Sequence, residues 1–513
     1  MLVTPSIRLV MNTYLPLEIW FIIAESFFSK ASLRSLCLVS KDLNAIFTPV
    51  LYKTIRLPYM RGNEREDGKL KGLSGLDTET HLLYTRHLEI GKGWKSIRGV
   101  EISPSLEGLL KKMTQIKSCK IWCLSSQLRN VYLAPVTDLA LLYDMSNQVS
   151  VIPKASSFEN LCSLDLRNLR GPMRNHAQDI ARVLIRWPNL KLLGLDLDSS
   201  PYQTPRNDFI IWVVSYFKHL REENGTPDLQ LELQELILGR GTVDAITNVA
   251  PWHELTNLSK LRSLTILNEE RPFWDGRQVF LNLRPFLEAS NLKSLTVYFF
   301  DRHVVALIRA LSCCGSLQEV EIRSIRDYKN PNFSWYRPIT EVGGGWRKLL
   351  LGGRLSDVCP ENFSKEMLDK LYSQSQDIEE IGLPYIRWDN IKPYLANFRH
   401  LRVLMAGYHK YIPDEWCLKC ELAVKIIKAH RKAMRDQGLV SKLKYVGIGM
   451  SVYAVTYPIL SARLKNQKPR RSDRYVSTRG LHKFNDYFEV VELEAEETNG
   501  FEFIKNLEKT HHR

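Results

Sequence analysis

The sequence predicts an α/β protein: three short N-terminal helices, then a long array of strand-and-connection units whose strands stack in parallel. Two observations carry this. Residues 13–57 have helical apolar spacing unlike that of the remaining chain, and from Leu161 onward a triplet of apolar residues returns again and again. The proposed divisions are a tail (1–12), the helical segment (13–57), a linker (58–80), the array (81–460) and a basic-then-acidic extension (461–513).

The first helix opens at Leu15-Pro16-Leu17-Glu18-Ile19. Proline suits a first helical turn, where its missing N–H would have no partner. Glu18 lies near the positive end of the helix dipole. Ile19, Ile22, Ile23 and Phe27 then recur at helical spacing. Ser32 is placed to cap a second helix carrying Leu33, Leu36 and Leu38. A third helix is expected from about Val39 to Phe47, stopping at Thr48-Pro49 because the residue before proline resists helical geometry. Three such helices hold too little apolar surface to stand alone, so they should dock on the array or on a partner.

The repeated unit is an apolar residue, two variable residues, a second apolar residue, one variable residue and a third apolar residue. Leu161/Leu164/Leu166, Leu233/Leu236/Leu238 and Leu292/Leu295/Val297 are clear copies, and Leu443/Val446/Ile448 is a late one. Weaker copies are Ile116/Cys119/Ile121 and Val136/Leu139/Leu141, with Leu88 and Ile90 in a possible earlier one. Steps between copies run mostly from 23 to 32 residues, with two longer steps of 43 and 42 that need insertions. In a strand, alternate residues share a face, so the last two apolar positions point together into a common core. No unit buries that face alone, so each depends on its neighbours. Helices are expected between strands at Ala177 to Trp187, Asp208 to Glu223, Val304 to Cys313 and Glu421 to Gln437, the last ended by Gly438. These step lengths are those of a leucine-rich repeat or slightly longer, although the usual asparagine ladder is nearly absent and Asn168 is a partial match.

The helical segment resembles the F-box motif, of fungal type. The resemblance rests on Leu15 to Ile19, Leu38-Val39-Ser40-Lys41, Asn44 and Pro49-Val50-Leu51-Tyr52, with a strand expected next from Leu51 to Leu57. Ser32 stands where an acidic residue often precedes the second helix's leucine. The resemblance implies binding to the Skp-type adaptor of a cullin ubiquitin ligase through Leu15, Pro16, Ile19, Ile22, Leu38 and Val39. It also implies that the array, of the irregular kind that accompanies the motif, holds a target protein. The alternative is a leucine-rich interaction scaffold with no ligase role, whose helices merely seal the first unit.

The target would meet the variable positions of the concave face, notably Asp165, Arg167, Thr296, Tyr298, Glu321 and Arg323. Arg167 and Arg323 would suit an anion. The later units are poor in side chains there, with Gly382 and Pro384, Met405 and Gly407, then Gly447 and Gly449. Such glycines either admit a partner's backbone or relieve crowding on a curved sheet.

Composition narrows the class. Nine irregularly spaced cysteines argue against a secreted disulfide framework, and no apolar stretch is long enough to span a bilayer; an intracellular, soluble protein is expected. The net charge of +15 is spread along the chain, densest from Lys465 to Arg474, and no nucleic-acid motif accompanies it. Catalytic patterns fail. His253-Glu254-Leu255-Thr256-Asn257 has asparagine where a zinc-binding helix needs its second histidine. Cys417 and Cys420 have a metal-compatible spacing but read as apolar contacts at a helix start. The expectation is a non-enzymatic protein without cofactor or metal.

Overall fold

In-register parallel strands dominate the computed structural model of the chain. It describes residues 16–27, 30–58, 81–92, 112–121, 135–142, 158–169, 173–197, 209–239, 242, 252–267, 284–298, 302–323, 345–351, 365–383, 391–406, 416–448, 451–456, 482–483 and 489–492. The chain divides into two compact units, one spanning 1–202 and 209–231, the other 203–208 and 232–513.

The first unit begins with α1 (Leu17–Phe27), α2 (Lys30–Cys37) and α3 (Lys41–Tyr52). Ala24, Leu33, Leu43 and Phe47 form their core, and Trp20 meets Phe47 edge to face with centroids 6.2 Å apart. Ser40 caps α3, its Oγ accepting the Leu43 N–H at 3.2 Å. Three details depart from the sequence expectations. Pro16 precedes the first helical residue, and its carbonyl accepts the Ile19 and Trp20 N–H groups. Ser32 lies inside α2, which starts at Lys30. Finally, α3 runs through Pro49 to Tyr52 and is held by tertiary packing where local preference would end it, with Val50 and Leu51 against the helical core. Strand β1 (Thr54–Pro58) therefore starts later than expected.

Strands β2 (His87–Lys92), β3 (Ser118–Ile121), β4 (Asp138–Leu141), β5 (Ser163–Leu169) and β6 (Leu192–Leu197) come next, each parallel to its predecessor. Leu88, Cys119, Leu139, Leu164 and Leu193 stand in register along this ladder, all buried. The amphipathic helices α4 (Met173–Arg186) and α5 (Phe209–Glu223) pack on each other, close to where the sequence places them. Asn168, in the left-handed region at φ 53°, donates from Nδ2 to the Leu142 carbonyl of the preceding strand–connection segment at 3.1 Å.

The second unit repeats the scheme. Its strands are β7 (Glu235–Leu238), β8 (Ser263–Ile266), β9 (Ser294–Val297), β10 (Glu319–Ile322), β11 (Lys348–Leu351), β12 (Glu380–Leu383), β13 (Val403–Ala406) and β14 (Tyr445–Ile448), all parallel. Between them lie α6 (Trp252–Leu255), α7 (Arg302–Cys313), α8 (Lys365–Gln374) and α9 (Trp416–Asp436). Gly438 ends α9 at φ 71°, with the Leu439 N–H reaching back to the Met434 carbonyl. Leu236, Leu264, Leu295, Val320, Leu349 and Ile381 share one buried row. Each such side chain contributes about 1.5–3 kcal/mol by leaving water, and only because its neighbours close over it. Strand β15 (Ser451–Thr456) turns back antiparallel on β14, and β17 (Glu489–Glu492) pairs antiparallel with both β15 and β16 (His482–Lys483). The 461–513 segment thus adds strands to the sheet.

A second ladder binds successive strands. The residue just before most of the parallel strands offers one carbonyl to two N–H groups of the next, as when Arg262 accepts from Lys293 and Ser294 at 2.8 and 3.0 Å. Lys53, Arg86 and Lys117 do the same in the first unit. The arrangement is α/β with a mostly parallel sheet in each unit, compatible with a solenoid. Among the described residues, no helix is long and apolar enough to cross a membrane.

Candidate functional site

The helical segment turns one apolar set inward and another outward. Ile19 is 38% exposed, Ile22 58%, Leu38 89% and Val39 69%. Ile19 and Ile22 are three apart, on the side of α1 away from buried Ala24. Leu38 and Val39 form the α2–α3 turn, held by N–H donation to Ser35 and Leu36 carbonyls at 3.2 and 3.1 Å. Pro16 is exposed as well, and Leu15 lies outside the described residues. Four large aliphatic side chains are thus left in water within about twenty residues of chain, and Leu439 and Val440 are exposed elsewhere in the chain.

These side chains are presented on a braced support. Lys30 donates from Nζ to the Thr54 carbonyl at 2.7 Å, tying α2 to β1. Partial burial, together with Arg56 and Arg34, lowers the Lys30 ammonium's affinity for its proton. The Tyr52 ring stacks on His81 at 4.7 Å, and the Lys53 carbonyl receives the Arg86 and His87 N–H groups. The helices are thus joined to the first rung of the sheet through α3, while these apolar side chains stay in water.

On the sheet face opposite the buried rows, the six residues marked by the sequence form two groups. In the first unit Arg167 grips Asp165 with both Nε and Nη2, at 2.8 to 3.0 Å. Gly194 on the next strand leaves the room that the Asp165 carboxylate fills. In the second unit Arg323 Nε binds buried Glu321 at 2.6 Å, and its guanidinium lies 4.6 Å over the Tyr298 ring and hydrogen-bonds the Tyr298 hydroxyl. Thr296 is in register with Glu321. The two arginines expected to receive an anion are therefore already neutralised by carboxylates two residues away on the same face. Lys348, a residue the sequence pattern does not single out, completes the second group at 3.4 Å from Glu321. Its signal was its place in the repeat, directly beside Glu319 on β10 and Glu380 on β12.

Further along, the face is apolar. Leu350, Val403, Met405 and Val452 cluster there, with Tyr445 packed against them. Gly382 leaves room for Leu350, and Gly447 for Met405. At these two glycines the chain's own side chains occupy the space, which is relief of crowding. Pro384, Gly407 and Gly449 lie outside the described residues, as does the basic 465–474 stretch. Cys417 and Cys420 are the second and fifth residues of α9, their side chains outside the described set.

No protein-family model matches the chain, and no curated protein matches it.

Proposed function

We propose that the chain is the substrate-recognition subunit of an SCF-type cullin ubiquitin ligase. Its N-terminal helices bind a Skp-type adaptor and its strand array binds a target protein. The observation that supports this best is the exposure of Ile19, Ile22, Leu38 and Val39, the same positions that the motif resemblance assigns to the adaptor contact. Burying four aliphatic side chains in a partner's groove would contribute several kcal/mol, at about 25 cal/mol per Å² of apolar area. The chain itself performs no chemistry in this reading. It raises the effective concentration of a target's lysine near a ubiquitin-loaded enzyme held by other subunits. Co-purification of the full chain with the adaptor tests it: wild type should retain adaptor, and a variant carrying Ile22→Asp and Leu38→Asp should not.

A scaffold without a ligase role is the second reading, favoured by the way α3 runs directly into β1 and Lys30 bonds across to Thr54. In that case the helices only seal the first rung. Adaptor retention equal in wild type and the double variant, and absent in both, would favour the scaffold.

A further inference from the structure

The positive charge that is scattered in sequence is collected by the repeat. The residue immediately before each parallel strand occupies an equivalent place, because it takes part in the ladder of doubly bonded carbonyls. In the first unit these residues are Lys53, Arg86, Lys117, Thr137, Cys162 and Lys191. In the second, five are cations: Arg262, Lys293, Arg347, Arg402 and Lys444. Gln234, Gln318 and Glu379 fill the other three. Fourteen positions thus hold nine cations and one carboxylate, a surplus of eight within a chain whose net charge is +15.

The second unit's column is the more accessible, since all five of its cations are exposed. Neighbouring strands lie about 4.8 Å apart, so the seven positions from Arg262 to Lys444 span about 29 Å, the length of roughly nine extended residues. Arg347 and Arg402 share Glu379, the Arg347 guanidinium holding that carboxyl below its ordinary range. The next column inward carries Glu235, Glu319 and Glu380, with Lys348 between the last two, so it is acidic on balance.

We infer that the N-terminal edge of the second unit's sheet is a docking strip for an extended, acidic polypeptide segment. The cations stand in single file, which fits one chain carrying spaced carboxylates. The adjoining glutamates oppose a wide polyanion with two charged rows. The large aromatic rings in the two flanking columns are Trp346, which is fully buried, and Tyr445, so a base-stacking platform of the kind that holds single-stranded nucleic acid is missing among the described residues. Attraction of this kind mainly accelerates encounter and weakens with salt. The inference is separate from the adaptor reading, since none of these residues belongs to α1–α3.

The test uses the full chain and two labelled probes, a fluorescein-tagged glutamate homopolymer and a single-stranded oligothymidylate, read by fluorescence anisotropy. The variant Arg262→Glu/Lys293→Glu removes adjacent cations and leaves the carbonyl ladder in place, because that ladder is main chain. Lys425→Glu/Lys432→Glu, on the exposed side of α9, makes the same charge change off the column. Glutamate-polymer affinity should fall about tenfold in the column variant and less than twofold in the control. Equal losses in both would overturn the inference, as would tighter binding of oligothymidylate than of the glutamate polymer. If circular dichroism shows the Glu variant misfolded, Arg262→Gln/Lys293→Gln carries the same comparison.

Discussion

Met405 lies over Gly447, its Sδ 2.1 Å from where a β-carbon at that position would stand. Met405 is buried among Leu350, Val403 and Val452, so it has no open space to retreat into. Gly447→Ala should therefore destabilise the second unit by about 1–3 kcal/mol, the usual cost of overfilling a packed site. In a Met405→Ala background the same change should cost far less, because the clash is gone. Denaturant melts of the four proteins give the coupling directly, and additive effects would contradict this packing.

Ile22→Asp and Leu38→Asp place charge on side chains already 58% and 89% exposed, so each should shift stability by less than about 0.5 kcal/mol. Both should abolish retention of a Skp-type adaptor. Ala24→Asp is the contrasting case. It drives a carboxylate into the helical core beside Phe47 and should unfold the segment, seen as lost helical signal in circular dichroism.

The strand array was legible because burying a row of leucines forces the same spacing on every unit, and from Leu161/Leu164/Leu166 to Ile378/Ile381/Leu383 the structure puts the second and third members of the triplets inside. The outward positions were legible only as positions. That Arg167 closes on Asp165, and Arg323 on Glu321, is a consequence of residues two apart sharing a strand face, but sequence alone gave no reason to prefer this over a ligand. Pro49 misled for the opposite reason: local preference ends a helix there, and contacts made by Val50 and Leu51 carry it on. The basic column emerges only when the units are aligned through their hydrogen bonds, since its members lie tens of residues apart.

Arg323 is predicted to matter for stability. It is the nearest cation to the buried Glu321 carboxylate, and it also covers the Tyr298 ring. Arg323→Ala leaves that carboxylate with Lys348 at 3.4 Å and should cost about 3 kcal/mol. Arg323→Lys should recover only part of this, because an ammonium lacks the planar fork that meets carboxylate and ring together. Thermal melts rank the three proteins; equal stability of wild type and Arg323→Ala would mean that Arg323 adds nothing net to the fold.

His430 is buried where α9 meets the β13 and β14 connections. Its Nε2 lies 3.2 Å from the Phe398 carbonyl and its Nδ1 2.8 Å from Ser441 Oγ. The carbonyl can only accept, which puts the ring proton on Nε2 and leaves Nδ1 to accept from the hydroxyl. Burial lowers the imidazole's pKa below the ordinary 6.5, Arg431 pushes the same way, and the Phe398 carbonyl opposes them. Between the lowered folded value and 6.5 the unfolded chain binds a proton that the folded one refuses, so acidification favours unfolding. The stabilising contribution is complete above about pH 6.5 and is lost as pH falls through the folded value. His430→Gln keeps a side chain able to donate to Phe398 but cannot titrate. It should be less stable at neutral pH and show a shallower loss of melting temperature from neutral pH downward. A slope identical to wild type would place the acid sensitivity elsewhere.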